Sequence, residues 1–428
     1  MSENAAISEI ADGVSGLYVK TDRFKTRRVT LSFVLPVDKK SAASAELISK
    51  LLVSCSEKYP SYTSLHRTLN ALYGAKLGGG VSRIGDVQLL SFSVESLCDR
   101  YALSGESVEK AAVDMLLCMI FETKTENGIF SESDFQREKR LLIEKINSRM
   151  NSKRKYAVGK MIEAMCSGEA FGVEESGGLE AAESLDNREV YDYYLNTVLR
   201  APARVSVTGA DSPDDVYELI SKRLSKRELI KVTTEMSPSV HSGGVKDISE
   251  EMDVTQGKLV LGFKTGRSSA LQNVADMQVF ADIFGGGPYS LLFTVVREKM
   301  SLCYYCAARF YSLKGVLCVD SGIEMNNYEA TLNGIKDQLE RIKKGDFDDE
   351  LIENSKMAIN DSLKGVFDSP AAIEYWYMAR MFDKNLLSPD EYANAVNAVT
   401  KESIIKGAND AVLDTVFFLK GKEGAADE

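Results

Sequence analysis

Histidine is nearly absent: the 428 residues contain two, His66 and His241. Two imidazoles so far apart in sequence cannot form the i, i+4 pair that points two ligands of one metal ion from one helical face, which excludes metal chemistry built on such a pair. Long apolar runs are missing as well. No stretch approaches the roughly eighteen residues of a membrane span, and Met1-Ser2-Glu3-Asn4-Ala5-Ala6 lacks the cationic start and apolar core of a secretory signal. The expectation is a cytoplasmic protein without membrane association. Basic excess is absent too: 52 Lys and Arg stand against 63 Asp and Glu, a net charge of −11. That excludes nonspecific binding to nucleic acid or anionic membranes, both of which draw on clustered cations. The run Lys153-Arg154-Lys155 reads as a solvated helix end. Seven cysteines, an odd number in contexts such as Leu117-Cys118-Met119, do not form a disulfide framework and read as reduced thiols.

What is present is ample apolar material, 44% of 428 residues, enough for two or more domains. Arg28 to Leu35 alternates as a half-buried strand, and Ser41 to Ser54 carries apolar residues at helical spacing. A second helix, Ser64 to Leu72, ends in Tyr73-Gly74. Ala75 to Ser82 and Val87 to Val94 then read as an antiparallel pair. Glu106 to Thr123 and Ser131 to Met150 are long patterned helices, and Ala203 to Thr208 is a short strand. Residues 231–256 lose periodicity and read as a linker. Beyond it the order repeats: a strand at Gly257 to Phe263, a helix at Ala270 to Phe284, strands near Leu302 to Phe310 and Val316 to Gly322, and helices at Tyr328 to Lys344 and Asp348 to Leu363. The chain reads as a diverged duplication, 1–230 and 257–428, each half an α+β layer of helices against a mainly antiparallel sheet.

The most informative window is Gly285-Gly286-Gly287-Pro288-Tyr289-Ser290 through Tyr305. Three glycines permit close backbone approach, Pro288 suits a first helical turn, and Leu291, Leu292, Val295 and Val296 recur at helical period. A short buried helix over Ser290 to Lys299 followed by a strand holds Arg297 at the helix end and Tyr304 just inside the strand. A cation and a phenol then face a common space. The structural alternative is an Arg that meets free helix carbonyls and a strand Tyr with its hydroxyl at the surface.

The window resembles a signature of the insulinase/pitrilysin metallopeptidase family: glycines, a short helix, Arg297-Glu298-Lys299, and Tyr304 seven residues after the Arg. The resemblance implies two homologous domains arranged as a clamshell, and a role for Arg297 and Tyr304 in holding substrate backbone and supporting the tetrahedral intermediate. It also implies H-x-x-E-H on the first helix, which this chain does not have. Counted back from Tyr73-Gly74, the five positions fall on Leu47-Ile48-Ser49-Lys50-Leu51, so Leu47 and Leu51 occupy the ligand positions and Lys50 the base position. The third ligand, a Glu closing an E-x6-E spacing from Glu138, falls on Lys145, or on Glu144 if the register slips by one. Aliphatic side chains cannot coordinate zinc and a Lys repels it, so no metal or cofactor is expected on this chain.

Some bacterial members of that family work as pairs in which one subunit holds zinc and the other contributes the Arg and Tyr. The resemblance implies that this chain is the second kind: no peptidase alone, a partner of a zinc-bearing homologue acting on peptide or unfolded polypeptide, and compatible with a homodimer when alone. The alternative is an architectural or peptide-binding subunit.

Three further features have bland readings. Cys303-Tyr304-Tyr305-Cys306 has C-x-x-C spacing, but residues three apart in a strand point to opposite faces, so these read as buried thiols. Gly78-Gly79-Gly80 lacks a P-loop Lys-Ser/Thr and reads as a thinned strand, bulge or edge, where a peptide can add as a strand. Tyr375-Trp376-Tyr377 with Met378, Met381 and Phe382 reads as core.

Overall fold

The computed structural model describes residues 5–241 and 243–422. Residues 1–4, part of the segment that lacks a signal-peptide pattern, lie outside the described residues. Among those described, no helix is long and apolar enough to cross a membrane.

The chain forms two compact units, neither of them one continuous stretch. The first takes Met1–Asn147, Val173–Thr234 and Val366–Ala379; the second takes Ser148–Gly172, Glu235–Gly365 and Arg380–Glu428. Strands β1 (Ala5–Ala11), β2 (Val14–Lys20), β3 (Thr26–Leu35), β4 (Lys76–Ile84), β5 (Val87–Leu97) and β8 (Ala203–Gly209) build the first unit's large sheet, alongside a two-stranded ribbon of β6 (Thr125–Glu126) and β7 (Ile129–Phe130). Its order is β1-β2-β8-β3-β5-β4. The second sheet uses β9 (Lys246–Met252), β10 (Gly257–Lys264), β11 (Cys303–Tyr311), β12 (Val316–Ile323) and β13 (Val412–Gly421), in the order β11-β12-β10-β13-β9.

The two orders correspond over five strands, β1 having no counterpart in the second sheet. β3 pairs antiparallel with β5 and β8, as β10 does with β12 and β13; β2 runs parallel to β8, as β9 does to β13. β4 and β11 therefore hold equivalent edge positions, and the repeated order of elements reflects a repeated topology. Parallel strand β9 lies within the stretch 231–256 that reads as linker. As an edge strand with the polar sequence Lys-Asp-Ile-Ser-Glu-Glu-Met it buries none of its residues fully, so it carries no apolar alternation to betray it.

The first unit's core lies between one sheet face and the helices α1 (Lys39–Leu51), α3 (Val108–Phe121) and α4 (Glu132–Asn151), while α2 (Tyr62–Ala71) packs on α3 in a smaller cluster of its own. Val29, Leu31 and Phe33 of β3, Leu90, Phe92 and Val94 of β5, and Leu47, Ile48 and Leu51 of α1 form it. The alternating residues of the same strands give the opposite face hydroxyls, among them Thr30, Ser32, Ser91 and Ser93, with Ser32 and Ser91 hydrogen-bonded at 2.8 Å. Helix Pro370–Ala379 also belongs to this unit. In it Trp376, Tyr377 and Met378 are buried, as a core reading requires, while Tyr375 is 67% exposed.

The basic run stands at the start of a helix rather than at the end of α4, with Arg154 and Lys155 exposed. α4 stops at Asn151, and Lys153, Arg154 and Lys155 begin a separate helix, α5 (Lys153–Met165), which belongs to the second unit. Arg154 pairs with Asp320 and lies 4.3 Å from the centroid of the Tyr305 ring. Ala157, Met161 and Met165 pack on Val260, Phe417 and Leu419.

Candidate functional site

In the first unit, the face of α1 that resembles a metal-binding helix is closed by its own side chains. Asp38 and Ser41 start the helix as a reciprocal capping box. Leu47 and Leu51 are 1% and 3% exposed and sit in the core. The polar face is set one residue earlier, on Glu46 and Lys50, which share a side by their i, i+4 spacing. Buried Glu46 accepts from Lys145 Nζ at 2.7 Å, and Lys50 Nζ donates to the carbonyl of Gly79 on β4 at 2.8 Å. The structure thus brings Lys50 and Lys145 to one polar face and turns Leu47 and Leu51 away from it. Counting back from Tyr73-Gly74 sets a distance along the chain, but the rotation of the helix decides which residue faces out. Glu144 is exposed.

This donor set does not fit zinc. The one carboxylate on the face is neutralised by Lys145, there is no imidazole, and the remaining group is a cation. A second group with metal donors among the described residues, Cys98, Glu109 and Asp211, has a resident cation. The buried guanidinium of Arg27 lies 3.6 Å from Glu109. Burial raises the Cys98 thiol to about 11, keeping it protonated and a poor ligand.

β4 is the first sheet's edge, and its glycines have distinct environments. A Cβ on Gly79 would lie 2.2 Å from the Ser49 carbonyl oxygen of α1, so only glycine allows this approach; a Cβ on Gly80 would meet nothing within 4 Å. Gly78 and Gly80 line a cleft of about 380 Å³ with Ser91, Ser93, Glu374 and Tyr375. Glu374 is ion-paired with Arg28, and the buried Thr30 hydroxyl, also lining the cleft, has no hydrogen-bond partner.

In the second unit, Gly285 ends the helix Ala275–Gly285 against β11, where a Cβ would lie 2.5 Å from the Ala308 nitrogen. The helix predicted over 290–299 forms over Leu292–Lys299 with wide π turns: the Met300 and Leu302 amides reach back to Val295 and Val296 at 2.9 and 3.1 Å. Ser301 then takes a positive φ of 53°, turning the chain into β11. Arg297, on the last turn, places its guanidinium 4.3 Å from the Phe293 ring centroid and its Nε 3.6 Å from Glu298. Beyond Ser301, at the start of β11, comes a β-bulge. Cys303 pairs with Ile323 and Tyr305 with Gly322, so Tyr304 is the extra residue, outside the ladder. Its side chain is 53% exposed, and its hydroxyl donates to the Glu324 carboxylate, which raises the phenol pKa.

Arg297 and Tyr304 are thus both surface groups on neighbouring elements, each engaged with a carboxylate of its own. The bulge also corrects the reading of the two cysteines. Cys306 pairs with Ser321, two positions from Ile323, so Cys303 and Cys306 lie on one face rather than on opposite ones. The Glu324, Arg28 and Glu374 contacts have no signature in the sequence, since each joins residues distant in the chain.

These features define a two-unit fold of repeated topology, with an Arg and a Tyr at the surface of one unit and, in the other, a first helix whose single carboxylate is paired with a Lys. The chain is similar to the M16 peptidases, the insulinase/pitrilysin family resembled in the sequence. Residues 184–359 match the family described as the peptidase M16 inactive domain. The chain is 29% identical over 415 residues, 97% of its own length and 97% of the relative's, to the probable inactive metalloprotease YmfF of Bacillus subtilis. Among solved structures it superposes on a conserved protein from Enterococcus faecalis with TM-score 0.92, 26% identity and coverage of 99% and 100%. It also superposes on a peptidase M16 inactive domain from Pseudomonas fluorescens with TM-score 0.79 and coverage of 99% and 100%. At 16% identity the latter shows the fold alone.

Proposed function

We propose that this chain is catalytically incomplete and works with a zinc-bearing homologue, supplying Arg297 and Tyr304 to a shared site for hydrolysis of peptides or unfolded polypeptides. The observation that carries this reading is the bulge. A Tyr confined to a regular edge strand has its direction set by the ladder, whereas the extra residue at 304 projects from it, seven residues after Arg297 on the preceding helix. A phenol donor and a guanidinium are suited to gripping a carbonyl and stabilising a developing oxyanion. The name of the Bacillus relative, a probable inactive metalloprotease, supports incompleteness, as do the cations on the first helix's polar face. In this reading zinc belongs to the partner, and both proteins work in the cytoplasm.

The test is reconstitution with a zinc-bearing homologue from the same organism. Arg297→Ala and Tyr304→Phe should each lower peptide hydrolysis by the pair roughly a hundredfold to a thousandfold without preventing its assembly. Full activity in both variants would overturn the catalytic contribution.

A second reading, a peptide-binding or architectural subunit, is favoured by the β4 edge. Gly78 and Gly80 bear no side chains to block an added strand, and the cleft beside them offers Ser91, Ser93 and the unpartnered Thr30 hydroxyl. In that case substitutions on the cleft wall, such as Tyr375→Ala, impair peptide capture while Tyr304→Phe does not.

A further inference from the structure

We propose that Cys303 and Cys306 form a site of reversible oxidation, closing to an intrachain disulfide across the bulge that presents Tyr304. The geometry comes from the ladder. In a regular strand, residues three apart are separated by about 10 Å and point to opposite faces, beyond the range a disulfide spans. Here Tyr304 is left out of register, so Cys303 and Cys306 stand opposite Ile323 and Ser321. Two positions along a strand are about 6.7 Å, at the upper end of the Cα separation disulfides tolerate. The pair is bridged by drawing the bulge inward. Both thiols point to the sheet face that Ala308 shares, the one packed on the helix ending at Gly285.

The thiols are also unequal. Cys306 is buried, whereas Cys303 is partly exposed. A hydrogen bond from Cys306 and, less strongly, the positive charge of Arg297 hold the Cys303 thiol below the usual cysteine value, against the effect of burial. Cys55, Cys98, Cys118, Cys166, Cys306 and Cys318 are all shifted the other way. Cys303 is therefore the attacking thiolate and Cys306 the resolving thiol. No third donor from His, Cys, Asp or Glu completes a metal site around them among the described residues, which separates this pair from a zinc-binding C-x-x-C.

With a peroxide as oxidant, the Cys303 thiolate attacks one peroxide oxygen and the O–O bond breaks. Hydroxide leaves and takes up a proton as water, and Cys303 becomes a sulfenic acid. The Cys306 sulfur then attacks the Cys303 sulfur, the S–O bond breaks, and a second water departs with the Cys306 proton. Two thiols and one peroxide become one disulfide and two waters. A thiol reductant reverses the change.

This site does not depend on the chain's serving a partner's zinc. The full chain is treated with hydrogen peroxide, alkylated and digested with trypsin, which releases both cysteines in the fragment 300–309. The fragment should lose two hydrogens and take no alkyl group, and should recover both alkylation sites after reduction. Peroxide should modify Cys303 at least roughly tenfold faster than the other partly exposed thiol, Cys55. Cys306→Ser should stop the reaction at a sulfenic acid trapped by dimedone, and Cys303→Ser should abolish it. The idea is overturned if fragment 300–309 remains fully alkylated while Cys55 is oxidised, or if Cys303 pairs only with a cysteine of another molecule.

Discussion

β4 and β11 hold the same place in equivalent sheets, and they have been put to opposite uses. β4 pairs with β5 without interruption from Lys76 to Ile84, and at its centre it has shed side chains altogether in Gly78-Gly79-Gly80. β11 breaks register at its first residues and uses the break to turn a Tyr outward. The adjoining polar groups differ in the same sense. Around β4, Lys50 is tied to the Gly79 carbonyl and Glu46 to Lys145, so the first helix's face is satisfied from within. Beside β11, the carboxylates that hold Arg297 and Tyr304 are exposed, so a ligand can displace them. One topology thus provides a backbone edge in one unit and projecting side chains in the other, and the local ladder decides which.

The comparison extends to a shared constraint whose failure gives the largest expected effect on folding. Both units press the helix that follows their central strand against the edge strand, and both put a glycine at the contact. In the first unit it lies in the strand, at Gly79; in the second it lies in the helix, at Gly285. An added Cβ would meet backbone at 2.2 Å from Ser49 and 2.5 Å from Ala308, and backbone cannot rotate away. Gly79→Ala and Gly285→Ala should each cost about 2–4 kcal/mol in denaturant unfolding. Gly80→Ala, with open space around it, should stay within about 0.5 kcal/mol. A mild effect at Gly79 alone would break the equivalence of the two contacts.

A smaller effect should come from the closed face of the first unit. Glu46 is buried and Lys145 is its half-exposed partner. Lys145→Met leaves a buried carboxylate unpaired and should cost about 1–3 kcal/mol. The double change Glu46→Leu with Lys145→Met should recover most of that, because an ion pair with one partner buried gains little over apolar packing. If the single and double variants are equally stable, Glu46 is solvated and this face is open after all.

Much of this arrangement was legible in the chain, and what escaped did so for physical reasons. β3 and β5 declare themselves by alternation, β10 and β12 by short apolar runs, and α3 and α4 by period, to within a few residues. The assignment of α5 and helix Pro370–Ala379 to particular sheets did not show, because an amphipathic pattern specifies a buried face and not the surface that buries it. The spacing of Arg297 and Tyr304 drew attention to them. The bulge that exposes Tyr304 and aligns Cys303 with Cys306 left no mark, since a ladder that skips a residue has the same composition as one that does not. The absence of a histidine pair was plain from counting. The rotation of α1, which puts Glu46 rather than Leu47 on the polar face, needed three dimensions.

The smallest expected effect concerns the proton on Tyr304. Its hydroxyl donates to Glu324, and that hydrogen bond with the charge behind it raises the phenol pKa. The folded state therefore holds this proton more tightly than the unfolded chain. Whatever the contact contributes is present below the ordinary tyrosine value of about 10 and is lost as pH rises through the raised value. Glu324→Gln should move the Tyr304 ionisation back down toward that ordinary value, as read by ultraviolet difference titration with Tyr304→Phe to identify the signal. Fold and stability near neutral pH should be unchanged, because both groups are at the surface. An unshifted titration in Glu324→Gln would mean that Glu324 does not hold the phenol, and Tyr304 would then project from the bulge with its proton already free for a ligand.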